Sequence, residues 1–141
     1  VRVERSDAIA PRDALIGATI GGGVTAILAE IATALERLAA HGESTAIDLR
    51  SLPMSDTDRA RLIEALGPGE VHIALEADGH SSIRETAVHG VWWSEYRDRV
   101  GELLARFIEV ARVPGILAVD TDELRHGAER LRAAIGAASA H

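Results

Sequence analysis

Gly69-Glu70-Val71-His72-Ile73-Ala74-Leu75-Glu76-Ala77-Asp78-Gly79 opens the stretch of sequence that decides the fold, which runs from Gly69 to Glu109. Apolar residues at every second position predict a strand with one buried face, and Asp78-Gly79 is a strong hairpin signal. A long second strand is predicted over residues 82–96 and a third over residues 103–111, with a polar turn between them. The stretch therefore predicts a three-strand meander, and it holds both Trp, the Tyr and the Phe of the chain.

Helical patterns flank this meander. Apolar residues at steps of three and four predict a helix from Val24 that ends before Gly42, a short helix capped by Ser55, and a last helix from Asp120 to about Ala138. Their apolar stripes are Ile27, Leu28, Ile31, Leu35 and Leu38 in the first helix, Leu62, Ile63 and Leu66 in the second, and Leu124, Ala128, Leu131 and Ile135 in the third.

The order of these elements predicts the fold class. A short strand over residues 45–49 completes the order α-β-α-β-β-β-α, which is typical of an α+β domain. We expect one domain over residues 24–141, with a small, mainly antiparallel sheet (the meander plus the short strand) and helices packed on one face. Residues 1–23 contain Pro11 and Gly21-Gly22-Gly23, and they are predicted to be a flexible leader or linker.

Composition excludes several classes of function. The 141 residues include no Cys, so the chain has no disulfide, no thiolate nucleophile and no thiolate ligand for zinc or an iron–sulfur cluster. A formal charge of −7 argues against a nucleic-acid partner, which needs a basic face. There is no apolar run of the roughly 18 residues that a membrane span needs. The first residues also show no signal-peptide pattern, so a cytoplasmic protein is expected.

Trp92 and Trp93 are adjacent, and adjacent strand residues point to opposite faces of a sheet. Within a single strand over residues 82–96, the face of Trp92 is the more apolar one. Trp92 is therefore predicted in the core and Trp93 on the outer face, together with Glu85 and His89. An exposed Trp beside these two polar groups suits a protein-binding site.

Carboxylates and imidazoles on the predicted strands do not form a recognisable catalytic motif. Glu85 and His89 share a face, as do Glu70, His72 and Glu76, but such spacing is common on any polar strand face. The chain has no HExxH motif and no Gly-x-Ser-x-Gly nucleophile elbow. We therefore expect no enzyme activity, no catalytic residue and no cofactor.

Four segments in a fixed order resemble a known family. They are Ala46-Ile47-Asp48-Leu49-Arg50-Ser51-Leu52-Pro53-Met54, then Leu66-Gly67-Pro68-Gly69-Glu70-Val71, then Glu85-Thr86-Ala87-Val88-His89-Gly90-Val91-Trp92-Trp93, and finally Ile108-Glu109-Val110 followed by Val113-Pro114. Together they resemble the C-terminal domain of HupH-type hydrogenase expression/formation proteins, a group that includes HoxQ and HyaF. The resemblance covers about residues 24–117, and its most specific part is the Glu-Thr…Gly-Val-Trp-Trp block.

The resemblance implies a cytoplasmic accessory protein in the maturation of nickel–iron hydrogenase, acting as a chaperone or scaffold for the small subunit before export. It supplies no catalytic residues. The leading hypothesis is a binding module that docks the small-subunit precursor or another maturation protein through Trp93, Glu85 and His89, with Trp92 and Arg84 beside them. The alternative is a metal-binding enzyme or metal carrier that uses His72, His89 and nearby carboxylates. A homodimer that hides the open face of the sheet is a third hypothesis.

Overall fold

The computed structural model describes residues 2–5, 22–77 and 79–140, and the side chains of residues 23–77 and 79–140. Within these described residues there are six strands, three α-helices and one 3₁₀ turn. In chain order these are β1 Arg2–Arg5, α1 Gly22–His41, β2 Thr45–Asp48, α2 Asp56–Leu66, β3 Pro68–Leu75, β4 Ser81–Thr86, β5 Val91–Arg97, β6 Leu103–Val110, the 3₁₀ turn Gly115–Leu117 and α3 Thr121–Ser139. This confirms the α+β class.

One antiparallel sheet holds all six strands in the order β1-β3-β4-β5-β6-β2. Consecutive strands from β3 to β6 form hairpins, and β2 pairs with β6 at one edge. The predicted hairpin between the first two strands of the meander is present, with Leu75 opposite Ser81; Asp78 lies outside the described residues. The short strand predicted at residues 45–49 is confirmed as β2.

The predicted long strand over residues 82–96 is wrong. It is two strands, β4 and β5, which pair with each other through a four-residue turn at residues 87–90. The meander therefore has four strands rather than three. Gly90 has a φ of +88°, a conformation that favours glycine and that ends the turn just before β5.

Residues 2–5 fall inside the predicted leader. They form β1, which pairs with β3 and is the edge strand at the opposite end of the sheet from β2. Residues 6–21, with Pro11 and Gly21, lie outside the described residues. The division of the chain into a leader and a domain at residue 23 stays a prediction.

Helices α1 and α2 cover one face of the sheet, which we call the Trp93 face. Its core joins both helices to β2, β5 and β6, and its buried residues are Val24, Ile27, Ile31, Ala34, Leu38, Ile47, Leu49, Leu62, Leu66, Val91, Trp93, Ile108 and Val110. Gly42 ends α1 with a φ of +72°, and the Ser55 hydroxyl caps α2 by accepting from the Asp58 amide at 3.1 Å. Both helix ends were predicted from the sequence.

The opposite face, which we call the Trp92 face, has a smaller core. Ile73, Ile83 and Trp92 are buried there, and Leu117 of the 3₁₀ turn packs against them. The Trp92 indole donates its Nε1 hydrogen to the Ala111 carbonyl at 3.0 Å, which ties this face to the segment that follows β6. Among the described elements, no α-helix packs on this face.

Helix α3 begins where the sequence predicts. Asp120 and Glu123 form a capping box, with the Glu123 amide donating to the Asp120 carboxylate at 2.8 Å and the Asp120 amide donating to the Glu123 carboxylate at 3.2 Å. Its packing differs from the prediction, because every residue of α3 is exposed. The expected layer of helices on one face therefore consists of α1 and α2 only.

Candidate functional site

The turn between β4 and β5 is built on one threonine. Thr86 is 5% exposed, and its hydroxyl lies 3.0 Å from the carbonyl oxygen of Val91 and 3.1 Å from that of Val88, while it accepts from the Val88 amide at 3.2 Å. The Val91 amide closes the turn by donating to the Val88 carbonyl at 3.1 Å. A single buried hydroxyl thus holds both ends of the turn together.

This turn decides which side chains share a face. Residues directly opposite each other in an antiparallel pair lie on the same face, and the register places Arg84 opposite Trp93 and Glu85 opposite Trp92. The sequence interpretation treated residues 82–96 as one strand and so grouped Glu85 with Trp93. That grouping is wrong, because the four residues of the turn change the alternation.

The prediction that Trp92 is buried is confirmed, but the exposure predicted for Trp93 is wrong. Trp92 is 8% exposed and Trp93 is 7% exposed, so both are buried. Trp93 packs in the core beneath α1 and α2, whereas Trp92 packs on the opposite face. Each Trp fills a different core, so Trp93 does not stand on an open surface.

One edge of Trp93 nevertheless reaches a groove beside α2, which we call the α2 groove. It has a volume of about 550 Å³. The residues that line it come from the last turns of α2, the loop after it, and strands β4 and β5: Ile63, Glu64, Leu66, Gly67, Pro68, Ser82, Arg84, Glu85, Thr86, Trp93 and Glu95. Three of the residues proposed from the sequence (Arg84, Glu85 and Trp93) therefore lie at the same groove.

Two glycines shape the chain at the end of this groove, where Gly67 is part of the lining and Gly69 follows it. Gly67 ends α2 with a φ of +72°, and its amide donates to the Ile63 carbonyl at 2.9 Å. Gly69 lies so close to β4 that a Cβ atom there would sit 2.5 Å from the Thr86 carbonyl oxygen. The register of β3 on β4 is irregular at this point, between Pro68 and His72. Only glycine at position 69 allows the start of β3 to pack so closely on the end of β4.

Glu95 organises the charges next to Trp93. Its carboxylate accepts from Arg106 Nε at 2.7 Å, from Trp93 Nε1 at 3.3 Å and from Arg97 at 3.4 Å. Burial is the largest single influence and raises the pKa of Glu95, but the hydrogen bonds from Arg106 and Trp93 and the two Arg charges outweigh it, so the pKa is lowered. The carboxylate of Glu95 is thus ionised, its charge is balanced by Arg106 and Arg97, and it fixes the indole of Trp93.

Arg84 and Ile63 are two of the exposed residues that line the α2 groove, together with Glu64 and Pro68. Arg84 is exposed, and within the described part of the chain it has no hydrogen bond or ion pair. Ile63 is 49% exposed although it is a large apolar residue. A guanidinium group without a partner beside an apolar wall is an arrangement that a binding partner can use.

Glu85 and His89 come together as the sequence predicted, although at the turn rather than along one strand. His89 Nδ1 lies 3.1 Å from a Glu85 carboxylate oxygen, and the side chains are 88% and 12% exposed respectively. This contact is an ion pair only when His89 is protonated, since a neutral imidazole carries no charge. It closes the outer side of the turn next to the α2 groove.

The metal hypothesis has no geometric support in the described residues. Among them, no group of three or more His, Asp or Glu side chains lies close enough together to hold a metal ion. No helix in the described part of the chain is both long and apolar enough to cross a membrane.

Sequence reasoning missed Glu95, Arg106 and Ile63. The pairing of Glu95 with Arg106 depends on the register of β5 on β6, where the two residues are directly opposite. Two long side chains of opposite charge at these positions would predict an ion pair across the hairpin, once the turn between β5 and β6 is placed correctly. Ile63 was counted in the buried stripe of α2, but it faces the groove.

Comparison with known proteins decides the family. The family model described as "HupH hydrogenase expression protein, C-terminal conserved region" matches residues 23–138. The chain belongs to the HupH_C family. A solved structure of the hydrogenase expression protein HupH from Thiobacillus denitrificans ATCC 25259 has a TM-score of 0.77 and 36% sequence identity, and the match covers 82% of this chain and 97% of that one.

Curated HupH_C relatives are similar over a shorter share of their own length. The hydrogenase expression/formation protein HoxQ of Azotobacter vinelandii is 32% identical over 108 residues, which is 75% of this chain and 38% of HoxQ. HupH of Rhizobium leguminosarum bv. viciae is 36% identical over 90 residues (62% and 31%), and the hydrogenase-1 operon protein HyaF of Escherichia coli strain K12 is 31% identical over 85 residues (60% and 30%). The chain thus spans about a third of the length of these relatives. The resemblance seen in the sequence is confirmed.

Proposed function

We propose that this HupH_C domain is a binding module in the maturation of nickel–iron hydrogenase, without catalysis of its own, and that it holds the small-subunit precursor in the cytoplasm before export. The family membership carries this proposal, since the relatives are named as hydrogenase expression/formation proteins. The chain has no Cys, so it offers no thiolate ligand to an iron–sulfur cluster. A role at a cluster-bearing subunit is therefore escort rather than donation of a cluster.

The α2 groove is the proposed docking site. Its apolar wall is formed by Ile63, Leu66 and the edge of Trp93, and its rims carry the cation of Arg84 and the carboxylate of Glu64. Within the described residues, neither of these two charged groups has an ion-pair partner. Such a groove suits an extended peptide segment that places an apolar side chain between charged ones.

Charge supports a basic segment as the partner. The chain has a formal charge of −7, which favours association with a positively charged peptide. An Arg-rich export leader on the small-subunit precursor has this chemistry. The Glu64 carboxylate is the group at the groove that such a segment would meet first.

The test is capture of the small-subunit precursor by groove variants. Ile63→Asp places a charge on the apolar wall, and we expect it to lower the amount of co-purified precursor by about tenfold or more, as substitutions at the centre of an interface do. Arg84→Glu and Glu64→Arg test the two rims separately. A basic segment predicts that Glu64→Arg weakens capture more than Arg84→Glu does.

Arg61→Glu is the matched control, because Arg61 is exposed on α2 but does not line the groove. It changes the charge as Arg84→Glu does and should leave capture unchanged. Circular dichroism and the urea midpoint of each variant show that it is folded. Full capture by folded Ile63→Asp would remove the α2 groove as the site, and failure of the unaltered chain to capture the precursor would remove the small subunit as the partner.

A further inference from the structure

Helix α3 presents an apolar stripe to solvent. Leu124, Leu131 and Ile135 are 62%, 66% and 59% exposed, and Ala128 lies between them at helical spacing. The helix is fixed at its start by a capping box, so its direction is set while its apolar side is bare. A stripe of this kind on a well-formed helix indicates a surface that another element covers.

Arginines border one side of the stripe. At 100° per residue, Arg125 and Arg132 lie about 90° and 70° from its centre on the same side. On the other side the nearest charged residue is Glu123, which is held in the capping box, while Asp122, Glu129 and Arg130 project from the back of the helix. Asp122 lies 3.7 Å from Arg125 and does not reach across the stripe. The surface that receives α3 should therefore be apolar, with carboxylates on the side that meets Arg125 and Arg132.

Pairing of α3 with the same helix of a second copy does not meet this requirement. An antiparallel pair that puts Leu124 opposite Ile135 also brings Arg125 of one copy close to Arg132 of the other. A parallel pair brings the acidic N-terminal turns together. Like charges face each other in both arrangements, which is unfavourable.

The Trp92 face of the sheet does meet the requirement for an apolar surface with carboxylates. Val71, Leu75, Tyr96 and Phe107 are only half-buried on that face, and the rings of Tyr96 and Phe107 stack with centroids 5.4 Å apart. Next to Phe107 is a hollow of about 650 Å³, lined by Ala46, Asp48, Arg50, Ser51, Leu104, Ala105 and Phe107.

Carboxylates stand beside these aromatic rings. Asp48 is exposed and lies opposite Phe107 in the register of β2 on β6. Burial and, to a smaller extent, the negative charge of the nearby Glu109 raise the pKa of Tyr96. Within the described residues, neither Asp48 nor Glu109 has a basic side chain as an ion-pair partner. These carboxylates complement the Arg border of α3.

The chain connects the two surfaces directly. Leu117 of the 3₁₀ turn packs on the cluster of Ile73, Ile83 and Trp92, and only residues 118–120 separate it from α3. The helix therefore leaves from the edge of the Trp92 face without packing on it. A helix that leaves its own sheet in this way can reach the equivalent face of a second copy at low cost, because the same contacts form twice around a two-fold axis.

We propose that two copies of this chain form a dimer by exchanging α3, with the apolar stripe of each helix on the Trp92 face of the other copy. The α2 groove lies on the side of the sheet that carries α1 and α2, so this dimer leaves the groove open. The proposal is independent of the proposed function.

Light scattering coupled to size-exclusion chromatography tests the dimer. The unaltered chain should have twice the mass of one copy at about 100 μM, and Leu131→Asp should raise the dissociation constant by about tenfold or more. Ala133→Asp is the matched control, since it adds the same charge to the back of the same helix and should change nothing. A single-copy mass of the unaltered chain at every concentration up to 1 mM would overturn the proposal.

Cross-linking separates an exchanged helix from other dimers. The chain has no Cys, so Leu131→Cys in one copy and Asp48→Cys in a differently tagged copy are each the only thiol present. A short bis-maleimide should join the two tagged copies. With Ala133→Cys in place of Leu131→Cys, the yield of this cross-link should be much lower. Cross-links formed mainly between two Leu131→Cys copies would show that α3 pairs with itself and would also overturn the proposal.

Discussion

Replacement of Thr86 by Val tests the contact that determines the arrangement of the candidate site. Valine keeps the shape of the side chain and removes its hydroxyl, which accepts from the Val88 amide and lies within hydrogen-bond distance of the Val91 carbonyl. Both backbone groups belong to a turn next to the buried residue Val91, so each would lose a partner in a place with little access to water. A buried polar group left unpaired costs about 1–3 kcal/mol.

The expected loss is therefore about 2 kcal/mol in the free energy of unfolding, since partial relaxation of the turn recovers some of the cost of the two groups. With a urea dependence of about 1–3 kcal/mol/M, the unfolding midpoint should fall by roughly 1 M. Equilibrium unfolding in urea, followed by the fluorescence of the two Trp residues, measures this shift directly.

Ser94→Ala is the control that separates a bonded hydroxyl from an unbonded one. The Ser94 hydroxyl is fully buried and has no hydrogen-bond partner among the described residues. Its removal should leave stability unchanged or raise it by up to about 1 kcal/mol, because no hydrogen bond is lost and no polar group remains buried without a partner. Equal losses in the two variants, or a loss below about 0.5 kcal/mol for Thr86→Val, would refute the reasoning about the turn.

Three further predictions concern the neighbours of this turn. Gly69→Ala should cost about 1–3 kcal/mol of stability in urea unfolding, because its methyl group meets backbone atoms at 2.5–2.7 Å, whereas Gly23→Ala on α1 has open space and should stabilise by up to about 1 kcal/mol. The pKa of Glu95 is lowered in the folded protein, so its carboxylate stabilises the fold at pH values above the unfolded pKa of 4.5. This contribution is lost as the pH falls through the folded pKa. Glu95→Gln should therefore lose less stability between pH 6 and about pH 3 than the unaltered chain does, as measured by urea unfolding at each pH. Trp92→Phe should cost about 1–3 kcal/mol, since it removes the donor to the Ala111 carbonyl; an unchanged urea midpoint would show that this bond is not needed.

Local sequence signals were sufficient for most of the fold. The Ser55 and Asp120 caps, the left-handed Gly42 and the alternation of apolar residues at 71–77 each act within a few residues, and the elements they predict are present. The turn at residues 87–90 was missed although it ends with Gly90, because a single glycine inside a strand pattern also marks a bulge. The other signal is the Thr86 hydroxyl, which bonds to backbone groups of Val88 and Val91, and threonine is a weaker turn residue than glycine, asparagine or aspartate.

The candidate site was predicted only in part, and the same turn is the reason. Arg84, Glu85 and Trp93 do lie at one groove, but the alternation assumed for a single strand assigned Glu85 to the wrong face. The exposure of α3 was beyond prediction for a different reason. An amphipathic stripe shows that a helix has a side to bury, but the sequence does not show whether the covering surface lies in the same chain.

Strand β5 explains why the chain carries two adjacent Trp residues. Val91, Trp92, Trp93 and Ser94 are four consecutive buried residues, a pattern of a strand that is covered on both faces. Helices α1 and α2 cover the Trp93 side, but among the described elements only the short 3₁₀ turn covers the Trp92 side. Two large aromatic side chains on opposite faces suit a sheet that lies between two layers. The exposed stripe of α3 has the chemistry of the missing layer, so the Trp pair itself favours a second cover on this sheet.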